Sequence, residues 1–439
     1  MIKTLFNIYN MSIISKESVV QLFCTDMIVS GQTLFEGETK NLPNDISTNL
    51  LKDDILFHRI DLLEKSLVSN ICEIIKNAVG DDDVLIPISG GVDSRILLLC
   101  AAHVLKTKRI HCVTYGAYQG NLEHKYATAV CRSLGLDPPE FHLLDGSIYQ
   151  DYIPIMLKKT LGRVSAYHCH LLSYLEGKNY TLPNKILSGF YADAVCGYAQ
   201  GPEVERWEHS YWYKGVLRKA DCLGFELEDL KSIQEVLKEK WDFYKSQELV
   251  RSFDEYLYIN LRSRFLLGAL KDAYESCGKQ IITPWSNALV ASIALNAPRS
   301  YRKGKVGFRQ CIAKFNSKLG SIPYYSSIEI KTFRGLFQKY ERLFVTLLEW
   351  ILDSTSNDSL DTRKINPWMN EIHGRVIRKE LQEKMRFDSS EIVSSGLLSK
   401  KIVDRVAKRH YRSFWHQAQF HLLALGEALR YQKSIIKSK

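Results

Sequence analysis

The chain has 439 residues, enough for about two or three domains, and its 45% hydrophobic content supports a large core. The formal charge of +10 comes from lysines and arginines spread along the chain, mildly clustered at 299–305 and 399–412; no recognition motif accompanies them, so a solvated basic surface and no nucleic-acid partner are expected. No run approaches the roughly 20 apolar residues of a membrane span, no signal peptide is evident, and ten scattered cysteines without a C-x-x-C pair point to reduced thiols in a cytoplasm.

Residues 1–58 are the least regular part, with 33–37 and 41–44 reading as two short strands around turns. From 59 to 79, Ile60, Leu63, Leu67, Ile71, Ile74 and Ile75 fall mostly on one helical face, and Gly80 ends the helix. Residues 84–88 read as a buried strand. The string Ser89-Gly90-Gly91-Val92-Asp93-Ser94 follows, then an apolar helix to about 106. A strand feeding a helix through a glycine pair is a phosphate-binding geometry. Glycines let backbone N–H groups approach an anion, and the helix N-terminus adds positive potential. Ser89 and Ser94 supply hydroxyls, and Asp93 can hold the Mg²⁺ that accompanies a polyphosphate. No Gly-Lys-Ser/Thr follows, so the loop is not of the Walker type.

Residues 110–115 and 140–144 read as further strands around a helix at 122–134. This alternation predicts an α/β fold with a doubly wound parallel sheet and ligand bound beyond the strand C-termini. A second apolar strand runs into Ser188-Gly189-Phe190-Tyr191-Ala192-Asp193-Ala194, and Asp193 is the expected second Mg²⁺ ligand. Residues 200–260 are expected to form helical core and site wall, and 288–297 an apolar helix. Residues 355–390 read as a polar insertion or irregular region, 394–430 as returning helix, and 432–439 as a frayed tail. His168-Cys169-His170 lacks partners at zinc spacing, and no Gly-x-Ser-x-Gly occurs.

The 89–94 loop resembles the pyrophosphate-binding loop of the ATP pyrophosphatase superfamily. Over roughly residues 30–430 the chain resembles the synthetase part of the asparagine synthetases and their relatives, the β-lactam synthetases and lasso-peptide cyclases. The resemblance implies an adenine-nucleotide α-hydrolase-like sheet with a helix-rich C-terminal part. It divides the chain into a glutaminase-like remnant at 1–58 and an ATP-binding synthetase domain at 59–439. It places ATP on Ser89, Gly90, Gly91, Asp93 and Ser94, with Val113, Thr114 and Tyr115 against adenine, Glu123 opening the next helix, and Ser188 and Gly189 opposite. Mg²⁺ falls to Asp93 and Asp193. Lys305, in Gly304-Lys305, and Lys331 are both candidates for the cation that meets the departing pyrophosphate.

The departures matter as much. Phe190 stands where asparagine synthetases have glutamate and β-lactam synthetases tyrosine, so a base is lost there or supplied elsewhere. Ala194 replaces a second acid, Gln280 a glutamate and Ile282 an arginine. Asparagine is therefore not the expected product. Ile2 follows Met1 where the glutaminase cysteine would stand, so glutamine hydrolysis is not expected. Nitrogen would come from ammonia, another amine or a separate ammonia-supplying protein. The implied activity is adenylation of a small-molecule, peptide or sugar carboxylate, releasing pyrophosphate, then acyl transfer to ammonia or an amine, releasing AMP. By analogy the pathway is secondary metabolism or surface-polysaccharide modification. The lost acids keep a second reading open, a catalytically reduced ATP-binding regulatory or partner subunit. The basic charge alone favours a third, a nucleic-acid-modifying enzyme.

Overall fold

The computed structural model describes residues 13–36, 59–116, 119–178, 182–197, 201–246, 252–324, 375–408 and 413–437. Five strands form one sheet: β1 (Val84–Pro87), β2 (Ile110–Gly116), β3 (Glu140–Leu143), β4 (Lys185–Leu187) and β5 (Gln280–Ile282). Their order is β3-β2-β1-β4-β5, and every neighbouring pair is parallel. The expected doubly wound α/β sheet is therefore present. Strands β1 to β4 lie within about a residue of their expected positions; β5 was not anticipated.

Alternation along the strands feeds two cores. Val84 and Ile86 enter one and Leu85 the other; Leu187 and Ile186 divide the same way. Helices cover both faces, as a parallel sheet requires. On one side Ile60–Val79, Val92–Val104 and Ala288–Asn296 contribute Leu67, Ile71, Leu97 and Ile293. On the other, Gly146–Thr160, Arg264–Glu275 and Ser413–Lys437 contribute Tyr149, Leu270, Leu422 and Leu425. Each such side chain stabilises the fold by about 1.5–3 kcal/mol relative to exposure.

The strand order sets where a ligand can sit. From β1 the chain crosses to β2 on one side, and β4 later returns on the other. The crevice between β1 and β4 is thus the topological switch point, the usual ligand position in such sheets. Two loops border it, 88–91 after β1 and 188–191 after β4. Ile88 N–H donates to Val113 O at 2.8 Å, and Ser188 N–H to Ile282 O at 2.9 Å, extending the ladder into both loops.

Three regions depart from expectation. Residues 13–36 contain the helix Lys16–Thr25, capped by Ser15 Oγ, which accepts from Ser18 N–H at 3.1 Å. Phe35 makes an isolated antiparallel bridge with Ile14; residues 37 and 41–44 lie outside the described residues. This segment shares its core with the C-terminal helices, Phe23 and Leu34 beside Leu422 and Leu425. Gly162 permits that docking: its φ is +69°, and a Cβ there would stand 2.6 Å from Leu34 Cβ. The polar stretch at 355–390 is in part a helix, Arg375–Ser394, while 355–374 lie outside the described residues. The chain past 432 also continues helical to Lys437 rather than fraying. Among the described residues no helix is long and apolar enough to cross a membrane.

Candidate active site

The loop after β1 is organised by its serines. Ser94 Oγ lies 3.0 Å from Ser89 Oγ, donates to Ser89 O at 3.2 Å, and accepts from Ser89 N–H at 3.2 Å. Gly91 N–H donates to Ser89 Oγ at 3.2 Å. A Cβ on Gly91 would lie 3.1 Å from that oxygen, which is why the turn favours glycine. Gly91 is the N-cap of helix Val92–Val104, and no side chain caps that end. Its N–H groups therefore suit an anion. Arg95, fully buried, ties the loop down from behind: its guanidinium donates to Gly90 O at 3.1 Å, Ile322 O at 2.7 Å and Pro323 O at 2.9 Å.

The loop after β4 lies directly against the first. A Cβ on Gly189 would be 3.6 Å from Ser94 N and 3.7 Å from Asp93 Cβ. Tyr191 has a φ of +71°, strain that a side chain bears only where surroundings enforce it. The kink sends Phe190 to one core and Tyr191 to the other. It also starts the short helix Ala192–Val195, which presents Asp193.

Lys305 closes the arrangement. Gly304 and Lys305 have φ of +61° and +60°, ahead of helix Val306–Phe315. The turn is anchored by Arg302, buried and paired with buried Glu255, its Nε also donating to Ala297 O at 3.2 Å. Lys305 Nζ donates to Asp93 Oδ2 at 2.5 Å and to Asp193 Oδ1. Burial, with the like charge of Asp193, pushes the Asp93 carboxyl up to about 6 against the pull of Lys305. For Asp193 burial works upward, but Lys305 overrides it and holds the carboxyl below its usual range. Burial lowers Lys305, yet the two carboxylates raise it above the ordinary lysine value.

These carboxylates fit Mg²⁺. Asp93 Oδ1 is buried and has no hydrogen-bond partner among the described residues, and Asp193 keeps 54% of its side chain exposed. Hard oxygens with one unsatisfied site and open solvent suit an ion that retains waters. No group of three His, Cys, Asp or Glu side chains gathers as a metal cage among the described residues, near His168 and His170 or elsewhere.

A cavity of about 350 Å³ opens above the two loops. Ser89, Asp93, Ser94, Ser188, Gly189 and Asp193 line it from the two loops, and Thr114, Tyr115 and Glu123 from β2 and the following helix. Val113 does not reach the cavity; it is fully buried, and its carbonyl receives Ile88 N–H. Gly90 and Gly91 shape the loop but are not in the lining, and Lys331 lies outside the described residues. Gln280 sits exposed at the start of β5, outside the lining. Among the described residues of 201–260 none lines the cavity, and sequence reasoning missed five residues that do, His168, His170, Leu171, Leu270 and Tyr274. Only the His-Cys-His spacing signalled any of them.

A family model described as asparagine synthase matches residues 74–273. The match spans β1 to β4 and both aspartates and stops before β5 and Lys305. No curated protein matches the chain. Over residues 74–273 the chain is thus similar to asparagine synthase.

Proposed function

We propose that the asparagine synthase domain at 74–273, completed by Lys305, adenylates a substrate carboxylate with ATP and passes the acyl group to ammonia or an amine. The observation that carries this reading is the meeting of Asp93, Asp193 and Lys305 above two serine-glycine loops at the sheet's switch point. The polyphosphate lies over the Ser89–Ser94 turn, where backbone N–H groups, both hydroxyls and the uncapped helix end receive it. Thr114 and Tyr115 border the adenine. Asp93 and Asp193 would hold Mg²⁺, which when bound supplies charge neutralisation of the phosphate oxygens. The substrate carboxylate oxygen attacks the α-phosphorus and pyrophosphate leaves. Lys305, held between the carboxylates, offsets the charge that develops on the leaving group. Loops that hold both reactants in place lower the entropic part of the barrier.

The test is carboxylate-dependent exchange of pyrophosphate into ATP across a panel of aliphatic, aromatic and amino-acid carboxylates. Exchange with at least one, lost in Asp93→Asn, is the expected result. Release of ADP and phosphate instead would overturn the reading. A second reading, an ATP-binding partner subunit without turnover, is favoured by Phe190 and Ala194 standing where the resembled asparagine synthetases have acids. It predicts nucleotide binding with no exchange on any carboxylate.

A further inference from the structure

The second half of the proposed reaction has a gap. As an amine nitrogen attacks the activated carbonyl it must shed a proton. Phe190, on the cavity wall, cannot take it. Asp93 and Asp193 are engaged with Lys305. The hydroxyl of Tyr274 is held protonated by burial, far above the ordinary tyrosine value. Glu123, at the first turn of helix Leu122–Ser133, also lines the cavity and is the competing candidate.

The cavity lining also includes His170, at the start of helix His170–Gly177. Its Nε2 lies 2.7 Å from the hydroxyl of Tyr149, a fully buried phenol on helix Gly146–Thr160. Tyr149 is itself packed against Phe420, ring centroids 4.6 Å apart. The His170 ring stands edge-on to Tyr167 at 4.7 Å and tilted to Tyr115 at 5.4 Å. Its backbone carbonyl accepts from Ser173 Oγ at 2.8 Å. An imidazole held by a buried hydroxyl on one nitrogen and by rings on two sides has a fixed direction, as a base needs.

We infer that His170 is the general base of the acyl-transfer step, positioned by Tyr149; this rests on the ligase reading above. A neutral amine attacks the acyl carbon of the adenylate. The C–N bond forms and one N–H proton passes to the His170 imidazole. The C–O bond to the phosphate breaks, its electron pair leaving on AMP. The imidazolium then returns its proton to solvent. Tyr149 acts only through His170.

The test compares two nucleophiles on one carboxylate found by pyrophosphate exchange. Ammonia needs help in losing its proton. Hydroxylamine, a weakly basic and strong nucleophile, needs less. The readout is the ratio of hydroxamate to amide formed. In His170→Gln, which keeps a polar side chain of similar reach, that ratio should rise at least about tenfold, one order of magnitude being about 1.4 kcal/mol. Tyr149→Phe should move it the same way by less, and it carries the test if His170→Gln does not fold. A ratio within about twofold of the unaltered protein in these variants overturns the inference, as does a shift found in Glu123→Gln and not in His170→Gln. Absence of exchange in the unaltered protein overturns the ligase reading and this one with it. Exchange with an unmoved ratio overturns this one alone.

Discussion

Two charged clusters join distant parts of this chain, and they resolve oppositely. At the site, Lys305 meets Asp93 and Asp193. In the helical half, Asp26 receives Lys219 Nζ at 2.5 Å and stands 3.2 Å from His421 Nε2. Burial pushes both Asp93 and Asp26 upward. For Asp26 the charge of Lys219 and the His421 hydrogen bond win, and its carboxyl is held well below the usual range. For Asp93 burial and the second carboxylate win, leaving it near 6 with one oxygen unsatisfied. The Asp26 cluster ties the N-terminal segment to the last helix with its carboxylate paired on both oxygens. The site cluster has two acids for one lysine and retains a demand for more positive charge, the usual condition of a site rather than a strut.

The largest effect that tests this contrast is Asp93→Asn. It should lower pyrophosphate exchange by about a thousandfold, or about 4 kcal/mol of transition-state stabilisation, while the melting temperature holds or rises because a desolvated charge is gone. A clear fall in melting temperature would make Asp93 a strut like Asp26. Lys305→Met should follow at about a hundredfold in exchange; a variant that exchanges normally would leave the lysine as a surface cation.

Asp26→Asn should do the reverse. It should cost on the order of 2 kcal/mol in denaturant unfolding, from loss of charged hydrogen bonds, with exchange unaffected. A depressed folded-state carboxyl gives stability that is present above the unfolded value, about 4, and is lost as pH falls. The unaltered protein should therefore weaken below about pH 4, and Asp26→Asn should flatten that fall. An unchanged acid limb would remove Asp26 from the account.

The smallest effect separates the two loops. Gly91→Ala crowds Ser89 Oγ and should cost about 1 kcal/mol of stability through the disturbed hydroxyl bonds. At Gly189 an added methyl meets neighbours only at ordinary contact distance, 3.6 Å and beyond, so its alanine should cost less. Equal costs would mean that the loops are not distinguished by packing.

Much of this was legible in the chain. Strands β1 to β4 announce themselves as apolar runs ended by turn residues, and the serine-glycine loops by composition. β5 is three residues long at the sheet edge, too short for a pattern to register. Arg375–Ser394 read as polar because its described side chains bury a narrow stripe, Leu381, Met385, Asp388 and Ile392. One of those four is an aspartate, whose partner Arg430 lies on another helix. The helix Lys16–Thr25 was hidden for a related reason: its Ser18 and Gln21 are fully buried, and Gln21 is satisfied by Val29 N–H at 2.8 Å.

The sequence by itself determined the serine-glycine loop after β1, the loop that carries Asp193 and the parallel sheet that brings them together, because those depend on local pattern and on glycine and strand geometry. Tertiary structure alone decided that Lys305 stands between the aspartates, that Val113 is core while Thr114 borders the cavity, and that His170 lines the same cavity as Phe190. Each of these depends on where a side chain points after segments distant in sequence have packed, and burial and the fields of neighbouring charges exist only then.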